Sequence, residues 1–515
     1  MLFLRYSLAA AVVICGAMPL DLFAVEQPTK PNILFIFSDD HACHAISAYG
    51  SKVNRTPNID RIAGEGALFG ANFCANSICS PSRASVLTGK HSHLNGVTRW
   101  QKFNGSQTTF PKLLQQAGYG TGIFGKWHLK SEPTGFSEWM VYPGQGHYYN
   151  PDYRTAKGPK RIEGYSVDVT TDLSIEFMER QKADGKPFLV MCQYKAPHRT
   201  WMPAPRFHDL FKGQAIPEPA TLFDDYAGRA SPAAKHRMGM EHLILPYDLK
   251  VPYKGKKVFD VGRMTPEQQA MWEAAYGEEN ADFLENEPTG RELIQWKYQR
   301  YIKDYLKCVA AVDDNIGRLL AFLDEEGLAD NTLVIYSSDQ GFYLGDHGWF
   351  DKRWMYEESF RMPLVMRWPG RIKPGTRVDE LTQNIDFGPT FLEVAGAEVA
   401  GEMQGRSLLP LLVGEPVVWR DALYYHYYDH GGEHQVARHY GIRTKQYKLI
   451  HYYTTDEWEL FDLEKDPQEM QSVYDDPDYA ELREKLHGDL RDLKKFYGND
   501  VFTVEDQERL EAEGQ

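Results

Sequence analysis

Cysteine is scarce, with six in 515 residues: Cys15, Cys43, Cys74, Cys79, Cys192 and Cys308. Positive charge is in deficit as well, since 57 Lys and Arg stand against 72 Asp and Glu, for a formal net charge of −15. Such an acidic balance gives no footing for nucleic acid or an anionic membrane surface. Internal repeats and low-complexity tracts are missing, and no run after Leu20 is apolar enough to cross a bilayer. What is present is ordinary globular composition: 42% hydrophobic, 25% charged and 13% aromatic residues. That supplies a sizeable core and excludes a disordered, collagenous or coiled-coil chain. The length suits two or three structural units, or one large domain with insertions.

The first residues read as an address label. Arg5 precedes an apolar stretch from Leu8 to Leu20, which breaks at Asp21, and Leu22-Phe23-Ala24 offers a cleavage site. Residues 1–24 are therefore expected to be a signal peptide, and the mature chain to be exported, periplasmic or secreted. A retained lipid anchor at Cys15 fits less well, because Ile14 precedes it where a small residue is expected. Removing Cys15 leaves five cysteines, so at least one thiol in an exported chain is unpaired.

Three apolar runs end in chemically active residues. Asn32–Ser38 leads into Asp39-Asp40, Pro187–Cys192 towards Ala196-Pro197-His198, and Thr332–Tyr336 towards Asp339-Gln340. Continuous runs of this kind suit strands buried on both faces. Between them lie helical patterns, clearest from Tyr301 to Glu326, where Tyr305, Val309, Val312, Ile316, Leu319, Leu320 and Leu323 recur at helical spacing. Alternation of this sort predicts an α/β fold with a mixed, mostly parallel sheet between helices. Ligands bind beyond the carboxyl ends of such strands, where all three polar clusters fall. Residues 25–400 are read as the main domain. The stretch 200–295, rich in Pro, charge and Trp, is read as a long surface insertion. Residues 401–515 are read as a smaller antiparallel subdomain ending in a helix from Ala480 to Phe496.

The most specific stretch is Cys79-Ser80-Pro81-Ser82-Arg83, continued by Leu87-Thr88-Gly89. It resembles the signature of the type I sulfatases, members of the alkaline-phosphatase-like superfamily. In that family a maturation enzyme oxidises the motif cysteine to formylglycine, an aldehyde. The resemblance implies that Cys79 is the nucleophile in that form. One hydroxyl of the hydrated aldehyde attacks sulfur and expels the alcohol; deprotonating the other ejects sulfate and restores the aldehyde. The alternative for Cys79 is a disulfide with Cys74 or a buried thiol.

Asp39, Asp40, Asp339 and Gln340 offer hard oxygen ligands that suit Ca²⁺, with Mg²⁺ second, and the family places its metal at the matching positions beside the residue corresponding to Cys79. Asn or His often stands where Gln340 does. On its own the Asp39-Asp40 pair also reads as a helix N-cap after a strand. Gly125-Lys126-Trp127-His128 matches a second family motif. The resemblance sets Lys126 on the sulfate, His128 on the formylglycine hydroxyl, Arg83 behind the aldehyde, His198 as general acid to the leaving alcohol, and Lys352 as a second sulfate-binding lysine. Taken alone, each of these is ordinary loop or turn polarity. Arg83, Lys126, Lys352 and a metal would make a cationic pocket in an acidic protein.

The resemblance runs from about Asn32 to Tyr474. Gly144–Pro151, Ala196–Trp201 and Gly345–Lys352 further resemble bacterial N-acetylglucosamine-6-sulfatase-like glycan sulfatases. The expected partner is a sulfated carbohydrate, with 6-O-sulfated N-acetylglucosamine or another sulfated polysaccharide, algal ones included, as candidates. His347, His439, Arg438 and Trp201 are candidate sugar contacts by position, with surface polarity or core packing as their other reading. A phosphatase or phosphodiesterase of the same superfamily would carry Ser or Thr as nucleophile. A non-catalytic glycan-binding protein would have lost one of these groups.

Overall fold

The computed structural model describes residues 30–500. Its centre is four parallel strands, Asn32–Asp39 (β1), Gly120–Gly125 (β2), Phe188–Pro197 (β3) and Thr332–Ser338 (β4). β1 lies between β3 and β4, and β2 continues the parallel set beyond β3. The whole sheet has ten strands, with antiparallel pairings towards both edges. All eight residues of β1 are buried, which is why its sequence is continuously apolar rather than alternating.

The pleat divides β1 between two cores. Ile33, Phe35 and Phe37 join a cluster with Val86, Leu87, Phe387 and Phe391. Leu34 and Ile36 join a second with Phe177 and Met178 of the helix Ser166–Ala183 and with Val309, Val312 and Ile316 of the helix Gly290–Glu325. The sheet is thus covered on both faces, as expected for parallel strands.

That long helix begins eleven residues before the Tyr301 start expected from spacing. Its first turns bury Lys297 and Arg300, whose heads reach main-chain oxygens of Glu241, Leu243 and Leu249. Charged residues at inward positions hide the period there.

The stretch 200–295 contains no strand, and one full helix, Pro266–Glu285, closed by a Thr265–Gln268 capping box. It is more than a surface insertion, however: Trp201, Leu222, Met240, Leu249, Trp272 and Tyr276 are buried within the second cluster. The first four sit at irregular spacing outside that helix and leave no period to read.

A separate antiparallel sheet follows, Ala422–Tyr427 (β5), His439–Thr444 (β6), Tyr447–Tyr452 (β7) and Glu457–Asp462 (β8), with a terminal helix Ala480–Phe496. Tyr424, Ile442, Leu449 and Leu460 face Leu486 and Leu490 of that helix. Leu423, Tyr425, Tyr427, Ile450 and Tyr452 face the other way and belong to the main core. The expected residues 1–24 and Cys15 lie outside the described residues. None of the five described cysteines forms a disulfide, Cys79 and Cys74 included. No helix among the described residues is long and apolar enough to cross a membrane.

Candidate active site

The register of the central strands brings the polar clusters to one edge. Ser38 faces Ser338, so Asp39 and Asp339 leave β1 and β4 side by side. Gly125 faces Gln193 and Asp39 faces Pro197, which sets Lys126 and His198 at the same end. Asp40 and His128 both turn the chain with positive φ, 66° and 56°. Asp and His are among the side chains that tolerate this region.

Cys79 opens the helix Cys79–Thr88, in the loop end of the sheet, and is 1% exposed. Its Sγ lies 3.3 Å from Asp39 Oδ1 and 3.9 Å from Gln340 Nε2. Burial pushes the thiol up to about 12, although Lys352 pulls the other way. A helix N-terminus normally favours a thiolate, so desolvation wins here.

Carboxylate oxygens of Asp39, Asp40 and Asp339 lie within 4.8 Å of one another, all fully buried. Burial lifts the Asp40 carboxyl to about 7, against the pull of Lys352 and with a push from Asp339. Gln340 donates its Nε2 to Asp40, while its Oε1 is buried without a hydrogen-bond partner. Three crowded carboxylates and an orphaned amide oxygen are the donor set a hard divalent cation satisfies, so these residues fit Ca²⁺ or Mg²⁺.

Cations stand opposite. Lys126 pairs with Asp39 and donates to Gln145 Oε1 at 2.6 Å. Lys352 Nζ lies 2.6 and 2.7 Å from the two Asp40 oxygens. Arg83 lies on the same helix as Cys79, but its guanidinium is spent on Asp339, the Lys126 carbonyl and Gln193. It braces the site from behind. His198 Nε2 is 3.7 Å from Asp40 Oδ2, and Nδ1 bonds the Arg199 carbonyl at 2.6 Å. Because a carbonyl only accepts, Nδ1 carries the proton and Nε2 faces the site. Ser80 Oγ donates to the His128 carbonyl at 2.7 Å and lies 3.3 Å from His128 Nδ1. Burial and the neighbouring cations hold both histidines well below the usual imidazole range. Of the six catalytic candidates only His128 and His198 are half-buried; the rest are buried.

The four candidate sugar contacts fare differently. Trp201 is 0% exposed, wedged against Tyr301, Phe342 and Phe350, and has no face left for a sugar. His439 is also fully buried, donating to the Ala437 carbonyl, accepting from Met355 N, and stacked on Trp354 and Tyr425. His347 is sealed among Asp224, Arg229 and Glu358. Arg438 is half-buried and bonds the Tyr428 carbonyl at 2.9 Å. The first three are therefore core residues, corrected from contacts. A ring outside the sequence motifs, Trp100, is half-buried and 5.8 Å from His128. Gln145, Gln193 and Ser80 join the site as well; Ser80 lies within the cysteine motif and Gln145 within Gly144–Pro151, but neither type of side chain signals a site by itself.

The chain is similar to known proteins along most of its length. A family profile described as Sulfatase matches residues 31–397, and one described as N-sulphoglucosamine sulphohydrolase, C-terminal, matches 345–496. The chain is 48% identical over 490 residues to an N-acetylglucosamine-6-O-sulfatase of Bacteroides thetaiotaomicron, covering 92% of this chain and 88% of that one. It is 28% identical over 443 residues to the human N-acetylglucosamine-6-sulfatase, covering 80% and 70%. The solved structure of BT4656 in complex with its substrate D-glucosamine-2-N,6-O-disulfate superposes with a TM-score of 0.89 at 47% identity, covering 92% of this chain and 99% of that one. A profile match that begins before Asp39 and ends beyond Lys352, over a fold shared along nearly the whole chain, gives the assignment: this chain belongs to the sulfatase family of the alkaline-phosphatase-like superfamily and is a sulfuric ester hydrolase.

Proposed function

We propose that the chain removes the 6-O-sulfate of a glucosamine-type sugar, acting outside the cytoplasm after loss of residues 1–24. The observation that carries the sugar is the 48% identity over 490 residues to an N-acetylglucosamine-6-O-sulfatase, and the substrate of BT4656 bears a sulfate at the same oxygen. What supports the reaction is the convergence of Cys79, Lys126, His198 and Lys352 on the acidic trio, with His128 held against Ser80, the neighbour of Cys79.

In this reading Asp39, Asp40, Asp339 and Gln340 hold a Ca²⁺ or Mg²⁺ ion, and Cys79 is the precursor of formylglycine. The ion supplies positive charge beside the nucleophile, and the hydrated aldehyde supplies the nucleophile with its built-in release step. The chain's own side chains do the rest. Lys126 and Lys352 bind sulfate oxygens and stabilise the charge that builds on them. Arg83 fixes Asp339 and the Lys126 main chain, so the anion site is set before substrate arrives. His198 presents Nε2, through which a proton passes to the departing sugar oxygen. His128, propped by Ser80, holds a hydroxyl on the residue-79 side chain.

Mass spectrometry of the Cys79 peptide from a maturation-competent host, followed by a panel of sulfated sugars, tests this. The expected result is a loss of about 18 Da at Cys79 and release of sulfate from 6-O-sulfated N-acetylglucosamine, with none from the 3-O- or N-sulfated sugar. An unmodified thiol in active protein overturns the nucleophile, and hydrolysis confined to another position overturns the substrate.

A further inference from the structure

Lys195 has no role in the set just described, yet it is buried three residues before His198 on β3, at 4% exposure. An ammonium sealed from water costs several kcal/mol unless something holds it there. Among the described residues its one hydrogen bond goes to the Arg199 carbonyl, at 3.1 Å, and it forms no ion pair. That is the same oxygen that His198 Nδ1 bonds at 2.6 Å. Tyr148 completes the arrangement: its hydroxyl donates to the His198 carbonyl at 2.6 Å, and its ring lies 5.1 Å beneath the Lys195 ammonium. The His198 amide in turn bonds the Lys195 carbonyl at 3.0 Å. The Arg199 side chain is clamped separately, by Asp248 at 2.6 and 2.9 Å and by Glu433 at 2.7 Å, so it does not orient its own carbonyl.

We infer that Lys195 is a positioning residue for His198: by gripping the Arg199 carbonyl it fixes the imidazole in the tautomer that leaves Nε2 facing the reacting centre. A histidine's working nitrogen is set by what the other nitrogen bonds, and a carbonyl free to swing sets nothing. The inference rests on the reading of His198 as general acid.

A double-mutant cycle tests it on matured enzyme with 6-O-sulfated N-acetylglucosamine. Wild type, Lys195→Met, His198→Ala and the double variant are compared at equal Cys79 conversion and with thermal midpoints recorded. Lys195→Met is expected to lower kcat about ten- to a hundredfold with KM changed less than about threefold. The same change on the His198→Ala background is expected to cost less than about twofold, because the group it serves is gone. Additive losses, a KM rise matching the kcat fall, or a Lys195→Met enzyme within about threefold of wild type overturn the inference. If His198→Ala loses less than about tenfold, the acid role itself fails and the inference falls with it, a result distinct from additivity. Should Lys195→Met not fold, Lys195→Arg and Lys195→Gln, which keep a donor, enter the same cycle and are expected within about fivefold of wild type.

Discussion

A tryptophan shortly after a strand end, close to an active histidine, invites a reading as a platform for a sugar ring. Trp201 instead fills a hole between Tyr301, Phe342 and Phe350. Trp201→Ala should therefore cost about 3–5 kcal/mol in chemical denaturation, in the range of large aromatic deletions, while KM of the folded fraction stays unchanged. A raised KM at unaltered stability would restore the platform. The carboxylates carry a second expectation. Asp39, Asp40 and Asp339 crowd one another fully buried, so a divalent ion that binds only the folded state should raise the thermal midpoint of chelator-treated protein. At a hundredfold excess of Ca²⁺ over its Kd this contributes about 2.7 kcal/mol, and Asp339→Asn should abolish most of the shift. At this scale the sequence was legible where chemistry needs several residue types at a fixed spacing, as in Cys79–Arg83 or Lys126–His128. It was illegible for His347 and His439. Whether a polar side chain faces a pocket or a sealed network is decided by residues far along the chain, Asp224 and Met355 among them.

Among the elements, the end of β2 is the tightest. Gly125 has φ +99°, and a Cβ there would sit 2.0 Å from the Gln193 carbonyl oxygen. Gly125→Ala must both strain the backbone and push β3 away just where Lys126 leaves the sheet. We expect loss of at least about 2 kcal/mol of stability by denaturant titration and of more than tenfold in kcat/KM, since small displacements of an anion-binding group weigh heavily on rate. Unaltered kinetics would mean that Lys126 is not held through this turn. The four central strands could be read from the sequence because burial on both faces leaves an unbroken apolar run. The first turns of Gly290–Glu325 could not, because Lys297 and Arg300 bury their stems at core positions. Much of the buried half of 200–295 escaped for the opposite reason: Trp201, Leu222, Met240 and Leu249 enter the core from irregular segments, which have no period.

For the molecule as a whole, buried neutral histidines make it vulnerable to acid. Burial lowers His439, His93 and His236 to about 4, and His41 to about 3. In the unfolded chain such groups titrate near 6.5, so on acidification the unfolded state takes up protons first. Their stabilising share is complete above pH 6.5 and drains away as pH falls towards 4. A histidine shifted from 6.5 to about 4 should contribute a loss of about 2 kcal/mol by pH 5. Carboxyls lifted by burial, Asp40 and Glu469 at about 7, take up protons in the folded state over the same range and oppose this loss. The histidine share is therefore read by difference: between pH 7.5 and 5.0, His439→Gln should lose about 2 kcal/mol less than wild type in denaturant titration, and an equal loss in both would contradict the burial. The second sheet and its helix were legible as an antiparallel unit, but its sharing of one core with the main sheet was not, since Leu423 and Tyr425 carry no mark of which layer they join.

In the function proposed above Cys79 is the residue to be oxidised, and part of its cover is Gln340, just after β4, a strand that pairs with β1 from three hundred residues further along the chain. During synthesis Cys79 therefore emerges long before its cover exists, and once β4 has docked the thiol is out of any enzyme's reach. On that reading, chemistry on this cysteine is a race against folding, and slow closure of a long-range parallel pairing keeps the window open.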